Sequence, residues 1–199
     1  MSVRAAFFDL GGVVVRTEYQ APREYLAERL NITYEDLYRI VFESDTSRQA
    51  SIGSITTEAH WEAVTRRLGR PASEAKIIRE EFFAGDVPDT LLVDYIRSIR
   101  PRFKTGVISN AWPDLREYIV EKKLDDAFDA LVISAEVGIM KPDPRIFQIA
   151  LDTLGVSADE SVFVDDTPAN VDAARALGMR GILFRDQARV LRDLKENMK

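Results

Sequence analysis

Phe7-Phe8-Asp9-Leu10-Gly11-Gly12-Val13-Val14 is the stretch on which the reading of the fold turns. An aspartate closes a short apolar run, and two glycines follow that let the backbone turn tightly and approach a ligand. An acid in this place has two ordinary uses. It satisfies the amides of a strand-end turn, or it offers a carboxylate to whatever lies beyond the strand. The stretch alone does not choose between them, so its neighbours must.

Four more segments share its design. Together with Ala5–Phe8, the runs Thr105–Ser109, Ala130–Ser134, Ser161–Val164 and Gly181–Phe184 are short and rich in Val, Ile or Phe, and read as buried strands. Helical patterns lie between the later ones, at Asp114–Lys122, Pro144–Leu154 and Pro168–Leu177. Strand alternating with helix predicts an α/β fold, a Rossmann-like parallel sheet covered on both faces. Right-handed crossovers then bring every strand's C-terminus to one edge, where open sheets of this kind place their sites.

One connection breaks the rhythm. The gap between the first two strands is several times longer than a single crossover needs. Within it Trp61, Val64, Thr65 and Leu68 recur at helical spacing, and Leu26/Leu30, Leu37/Ile40/Val41 and Ile78/Phe82 mark three further helices. Gly53 and Gly69-Arg70-Pro71 punctuate them. The expected organisation is a Rossmann-like core of residues 1–15 and 88–199, carrying a helical bundle cap of residues 16–87.

Composition bounds the chemistry. The 199 residues carry 46% hydrophobic and 30% charged side chains, enough for a packed core. A formal charge of −6 argues against nucleic acid and anionic membrane as partners. Cysteine is absent, which excludes disulfides and thiol catalysis. Neither a signal peptide nor a membrane-spanning run is read, so a cytoplasmic protein is expected. Nothing in the sequence speaks to oligomeric state.

Three other segments carry chemistry. In Ser161-Val162-Phe163-Val164-Asp165-Asp166-Thr167-Pro168-Ala169-Asn170, two adjacent acids end a strand. Thr167 as N-cap and Pro168 as first helical residue explain the helix that follows. They do not explain the acids, which repel one another unless a cation is near; a hard, oxygen-seeking metal ion would account for them. Val107-Ile108-Ser109-Asn110-Ala111 sets a hydroxyl and an amide at a strand end, as an ordinary turn also would. Gly138-Ile139-Met140-Lys141-Pro142-Asp143-Pro144 opens a helix with an Asp N-cap, and Lys141 there is either a surface lysine or a charge aimed at the acids.

These four segments, in this order, resemble the haloacid dehalogenase-like (HAD) hydrolase superfamily over nearly the whole chain. The likeness is to the branch with a helical cap after the first motif, which includes sugar-phosphate phosphatases and the phosphatase domain of soluble epoxide hydrolase. The resemblance implies a hydrolase that attacks a small phosphorylated metabolite with Asp9 and forms an aspartyl-phosphate. It implies Mg²⁺ held by Asp9, the Gly11 carbonyl and Asp166, with Asp165 and Asn170 supporting from behind. Ser109, Asn110 and the amides after Asp9, that of Leu10 first, would bind phosphate oxygens, and Lys141 would neutralise the gathered charge.

The sequence departs from the family at Gly11, where most such phosphatases carry a second aspartate as general acid and base. Glu18 is a weak substitute. A leaving oxygen that needs little protonation, as in an anomeric sugar phosphate, would lessen the loss. Two other readings stand beside this one: a catalytically silent binding module, which Gly11 favours, and a metal-free 2-haloacid dehalogenase, which the intact Asp165-Asp166 pair disfavours. Tyr19, Arg48 and His60 are cap residues within reach of a substrate, with no feature that singles one out.

Overall fold

The computed structural model describes residues 2–100 and 102–198. Strand β1 (Ala5–Phe8) is buried along its whole length. Its side chains divide between two cores, as strand alternation requires. Ala5 and Phe7 pack with Ile146, Phe147 and Phe163, while Ala6 and Phe8 pack with Leu92, Ile96 and Leu194. A strand apolar on both faces belongs at the centre of a covered sheet.

From β1 the chain passes through β2 (Val15–Thr17) into helices α1 (Ala21–Arg29), α2 (Tyr34–Phe42), α3 (Asp45–Ser51), α4 (Thr57–Arg67) and α5 (Ala75–Phe83). It returns through β3 (Asp86–Pro88) to α6 (Thr90–Ile99), β4 (Lys104–Ser109), α7 (Leu115–Glu121) and β5 (Ala130–Ile133). A short α8 (Ser134–Val137), then α9 (Pro144–Leu154), β6 (Ser161–Asp165), α10 (Pro168–Ala176), β7 (Arg180–Leu183) and α11 (Gln187–Asn197) complete it. The strand order is β5-β4-β1-β6-β7, with every pair parallel. The fold is the expected Rossmann-like α/β sheet, and all five expected strands form within a residue of their bounds.

Helix starts follow side-chain chemistry. Asp143 caps α9 through the Arg145 amide at 2.9 Å, with Pro144 at the first position, and Gly155 ends the helix in the left-handed region at φ 61°. Thr33 and Thr56 cap α2 and α4. Thr167 departs from expectation. It occupies the N-cap position of α10 but makes no side-chain cap; its hydroxyl turns to Asp166 at 3.3 Å instead.

Helices α1, α2, α4 and α5 match the four apolar patterns and share a core of their own, built on Leu26, Leu37, Val41, Trp61, Val64, Ile78 and Phe82. Helix α3 went unread because Asp45-Thr-Ser-Arg-Gln-Ala-Ser51 has no apolar period. The β2–β3 ribbon went unread because three-residue strands are too short to show alternation. It clamps both ends of the helical excursion in antiparallel register, Val15 opposite Pro88 and Thr17 opposite Asp86. Among the described residues no helix is long and apolar enough to cross a membrane.

Candidate active site

The sheet register builds the site. Phe8 lies opposite Val107 on β4 and Val164 on β6. One step further, Asp9 is therefore level with Asp165, and its amide donates to the Val164 carbonyl at 2.8 Å. Ser109 closes β4 on the other side. Asp9, Asp165 and Asp166 each present a carboxylate oxygen within 4.8 Å of the other two. Segments far apart in sequence thus meet at one edge.

Lys141 reaches into the middle of these acids. Its Nζ lies 2.9 Å from Asp9 Oδ1 and 2.7 Å from Asp165 Oδ2, with the side chain wholly buried. Burying an ammonium is costly unless it is paired, and here two carboxylates pair it. The backbone behind it is fixed as well. The Lys141 amide donates to Asn110 Oδ1 at 2.7 Å, and Asn110 Nδ2 donates to the Lys141 carbonyl at 2.9 Å. A short lysine loop is thereby held by the side chain that follows Ser109.

Asp165 is satisfied all round. Besides Lys141 it accepts the Thr167 amide at 2.8 Å and Asn170 Nδ2 at 3.1 Å on both oxygens. Asp166, its exposed neighbour, has only Thr167 as a side-chain partner among the described residues. Burial pushes the Asp9 carboxyl up to about 6; Lys141 opposes the rise, and Asp165 and Asp166 add to it. Burial and the Asp165 charge raise Asp166 also. Three carboxylates face one ammonium, so the ionised cluster carries two uncompensated negative charges. Hard oxygen ligands with that excess fit a small divalent cation.

The two glycines have different reasons. Gly12 sits at φ 81°, and a Cβ there would collide with the Asp166 carboxylate, so only glycine fits. Gly11 has no such constraint: its φ is ordinary and a Cβ would meet nothing within 4 Å. The space where relatives of the resembled family place an acid is open.

Several of the expected residues are engaged within the protein. The Leu10 amide donates to Asp9 Oδ1 at 2.7 Å, within its own turn rather than toward the mouth. Asn110 gives one end of its amide to each Lys141 backbone group, which makes it a brace for the lysine loop. The Ser109 hydroxyl has no partner among the described residues although the residue is only 3% exposed. Asp9 Oδ2 is likewise without a hydrogen bond, both of that side chain's bonds falling on Oδ1. Asn170 stands behind Asp165, with Nδ2 3.1 Å from each of its carboxylate oxygens. Of the cap candidates, Glu18 pairs with Arg16 at 2.6 Å, Arg48 and Tyr19 are exposed, and His60 is fully buried with Nδ1 3.0 Å from Thr46 Oγ1.

Ser134 and Trp112 were missed. The Ser134 hydroxyl brackets the Ala111 backbone, accepting its amide at 3.0 Å and donating to its carbonyl at 3.2 Å. This steadies the loop after Ser109. Trp112 leaves that loop to join the helical core. Only the run Ser109-Asn110-Ala111-Trp112, with a large ring so close to a candidate site, offered a signal.

The family model for haloacid dehalogenase-like hydrolases matches residues 3–178. The chain belongs to the haloacid dehalogenase-like hydrolase family. Among curated relatives of this HAD hydrolase, bifunctional epoxide hydrolase 2 of Rattus norvegicus is 29% identical over 98% of the chain. The chain spans only 39% of that protein's length. A sesquiterpene phosphatase of Aspergillus oryzae is 27% identical, across 97% of the chain and 95% of its own. Among solved structures, a HAD enzyme of Bacteroides thetaiotaomicron in complex with magnesium and inorganic phosphate superposes with a TM-score of 0.79. Its identity is 21% over 95% of the chain and 99% of its own, which is a likeness of fold.

Proposed function

We propose that this HAD hydrolase is a Mg²⁺-dependent phosphatase of small phosphate monoesters that works through an aspartyl-phosphate on Asp9. The observation that carries the reading is the cluster of three carboxylates, two of them paired with the buried Lys141 and the third, Asp166, exposed, left two charges negative beside an unengaged serine hydroxyl. A metal-free dehalogenase has no use for that excess. The phosphatase name of the Aspergillus relative and the magnesium and phosphate of the Bacteroides neighbour support it.

Asp9, Asp166 and the Gly11 carbonyl would hold Mg²⁺. The bound ion would balance the acidic cluster and draw the phosphate toward it. Lys141 keeps Asp9 Oδ1 fixed, which leaves Oδ2 to attack phosphorus in line. The Ser109 hydroxyl donates to a phosphate oxygen, and Asn110 holds Lys141 in register. Asp165, saturated by Lys141, Thr167 and Asn170, orients this machinery without touching substrate. Residues 16–87 serve as the cap that excludes water. With Gly11 in place of an acid, the leaving oxygen departs without a proton from that position, which costs alkyl esters on the order of 10²–10⁴-fold.

Release of phosphate from 4-nitrophenyl phosphate tests this. Turnover should require Mg²⁺, and Asp9→Asn should reduce it by more than about 10³-fold. Gly11 is the feature favouring a silent binding module. No turnover at saturating Mg²⁺, with the protein folded and the metal bound, would establish that module instead.

A further inference from the structure

Trp112 belongs to the sheet by sequence and to the helical unit by packing. It is 9% exposed and sits in the core of that unit, where every other described member lies between residues 26 and 83. Its ring stacks on Phe42 of α2 with centroids 5.9 Å apart and planes at 24°. It also lies 4.5 Å from His60 of α4 and 6.2 Å from Phe83 of α5, and its indole N–H donates to Ser47 Oγ of α3 at 3.4 Å. One side chain thus touches four helices.

Two residues on, Asp114 repeats the attachment in polar form. Its Oδ1 accepts the Thr57 hydroxyl of α4 at 2.7 Å, and its Oδ2 pairs with the Arg79 guanidinium of α5. Asp114 stands at the N-cap position of α7 yet makes no side-chain cap there. An aspartate in that place ordinarily turns its carboxylate to its own helix; here both oxygens go to the helical unit. The unit meets the same loop from a second side. Gly53, at φ 72°, passes so close to the Ala135 carbonyl that a Cβ would lie 2.2 Å from it. Ala135 follows Ser134, whose hydroxyl brackets the Ala111 backbone.

Three peptide units join Ser109 to Trp112, so their Cα atoms are no more than about 11 Å apart. Each residue of this span is held by a different part of the molecule. Ser109 is in register with Ile133, Asn110 bonds the Lys141 backbone, Ala111 bonds Ser134, and Trp112 is fixed in the helical core. The span has no slack. A displacement of the helical unit carries Trp112 with it and must be absorbed within three residues of the serine hydroxyl.

We propose that Trp112 and Asp114 are positioning residues, through which the helical unit holds the Ser109 hydroxyl in its working place. The assignment rests on the phosphatase reading and deepens it: residues 16–87 then set geometry at the site as well as covering it. Neither residue acts on substrate; each acts through the segment that follows Ser109.

The experiment is a double-variant cycle on kcat for 4-nitrophenyl phosphate at saturating Mg²⁺, below the melting midpoint of every variant. Ser109→Ala alone should lower kcat about 10²-fold, the usual cost of one lost oxyanion donor. Trp112→Leu, which keeps an apolar side chain but removes the anchor, should lower it at least about tenfold through misplacement. On the Ser109→Ala background the same Trp112→Leu change should cost less than about threefold, because a hydroxyl already deleted cannot be misplaced. Thr57→Val removes a single hydroxyl from the helical side and serves if Trp112→Leu fails to fold. Its smaller loss, about threefold, should likewise disappear on the Ser109→Ala background. A residue that only stabilises the fold lowers the melting midpoint and leaves such losses multiplicative. Multiplicative losses, or wild-type kcat in Trp112→Leu and Thr57→Val, overturn this inference while the phosphatase reading stands. No Mg²⁺-dependent turnover by the wild type overturns that reading and this inference with it.

Discussion

The strand-end site and the helical unit above it each bury a cation, and they do so by opposite means. Lys141 lies between two carboxylates, 2.9 and 2.7 Å away, within a cluster that stays negative overall. Arg23 lies against the Phe82 ring at 4.2 Å, with Asp86 as its single acidic partner among the described residues, and that pair is neutral. The first arrangement leaves charge to spend on a ligand. The second spends everything on holding helices together. In the proposed reading the rigid strands carry the chemistry, while packed rings and a closed ion pair hold the helical unit together.

Removing each cation separates the two roles and should give the largest effects. Lys141→Met leaves Asp9 and Asp165 buried without their partner, and breaking such a pair costs about 3–5 kcal/mol. Activity should vanish, while saturating Mg²⁺ should recover part of the lost thermal stability by replacing the missing charge. Arg23→Met should destabilise by a similar or smaller amount through α1 and α5. Added Mg²⁺ should stabilise that variant no more than it stabilises the wild type. Thermal melts with and without Mg²⁺ decide this; equal rescue of both variants would erase the distinction between the regions.

The two adjacent glycines sharpen the picture within the site. Gly12→Ala meets both a left-handed backbone and the Asp166 carboxylate, so a cost of about 1–2 kcal/mol and weaker Mg²⁺ binding are expected. Gly11→Asp enters open space and should fold normally. If it supplies the missing acid, hydrolysis of alkyl phosphates should rise by up to about 10²-fold, with little change for 4-nitrophenyl phosphate. Calorimetric Mg²⁺ titration of the first and a leaving-group series on the second are the checks. An unchanged series in Gly11→Asp would mean that proton supply is not what limits the enzyme.

The same division governs what the sequence alone makes legible. Asp9, Ser109 and Asp165-Asp166 sit at the ends of apolar runs, and parallel pairing leaves such ends nowhere to go but one edge. Lys141 was legible as a candidate because Asp143 and Pro144 fix the helix that follows it. The work of Asn110 was not legible. An amide after a serine reads equally as ligand or brace, and only the tertiary approach of the Lys141 backbone reveals the brace. The helical unit gave up four of its helices to periodicity and kept α3, the β2–β3 clamp and the insertion of Trp112. Ring packing between distant segments leaves no pattern in the local sequence.

Acid titration offers the finest test, because the two regions should respond with opposite sign in metal-free protein. His60, buried in the helical unit, has its pKa lowered to about 4, first by burial, with a Val41 backbone hydrogen bond opposing. The unfolded chain therefore binds a proton near pH 6.5 that the folded chain refuses. Stability from this group is complete above that pH and is lost as pH falls toward 4. Asp9 is raised to about 6, so its folded form holds a proton that the unfolded form has released. The metal-free fold is thus relieved as pH falls from 7 toward 4, and strained as it rises. Each contribution is on the order of 1–2 kcal/mol between pH 7 and pH 5, so in the wild type they largely offset. Asp9→Asn should expose the His60 slope, with denaturation midpoints dropping between pH 7 and 5, and His60→Gln should expose the reverse. Saturating Mg²⁺ needs ionised Asp9, so it should stabilise most above pH 6 and progressively less below. Parallel slopes in the two variants would show that the site and the helical unit titrate as one body, and the contrast between them would fail.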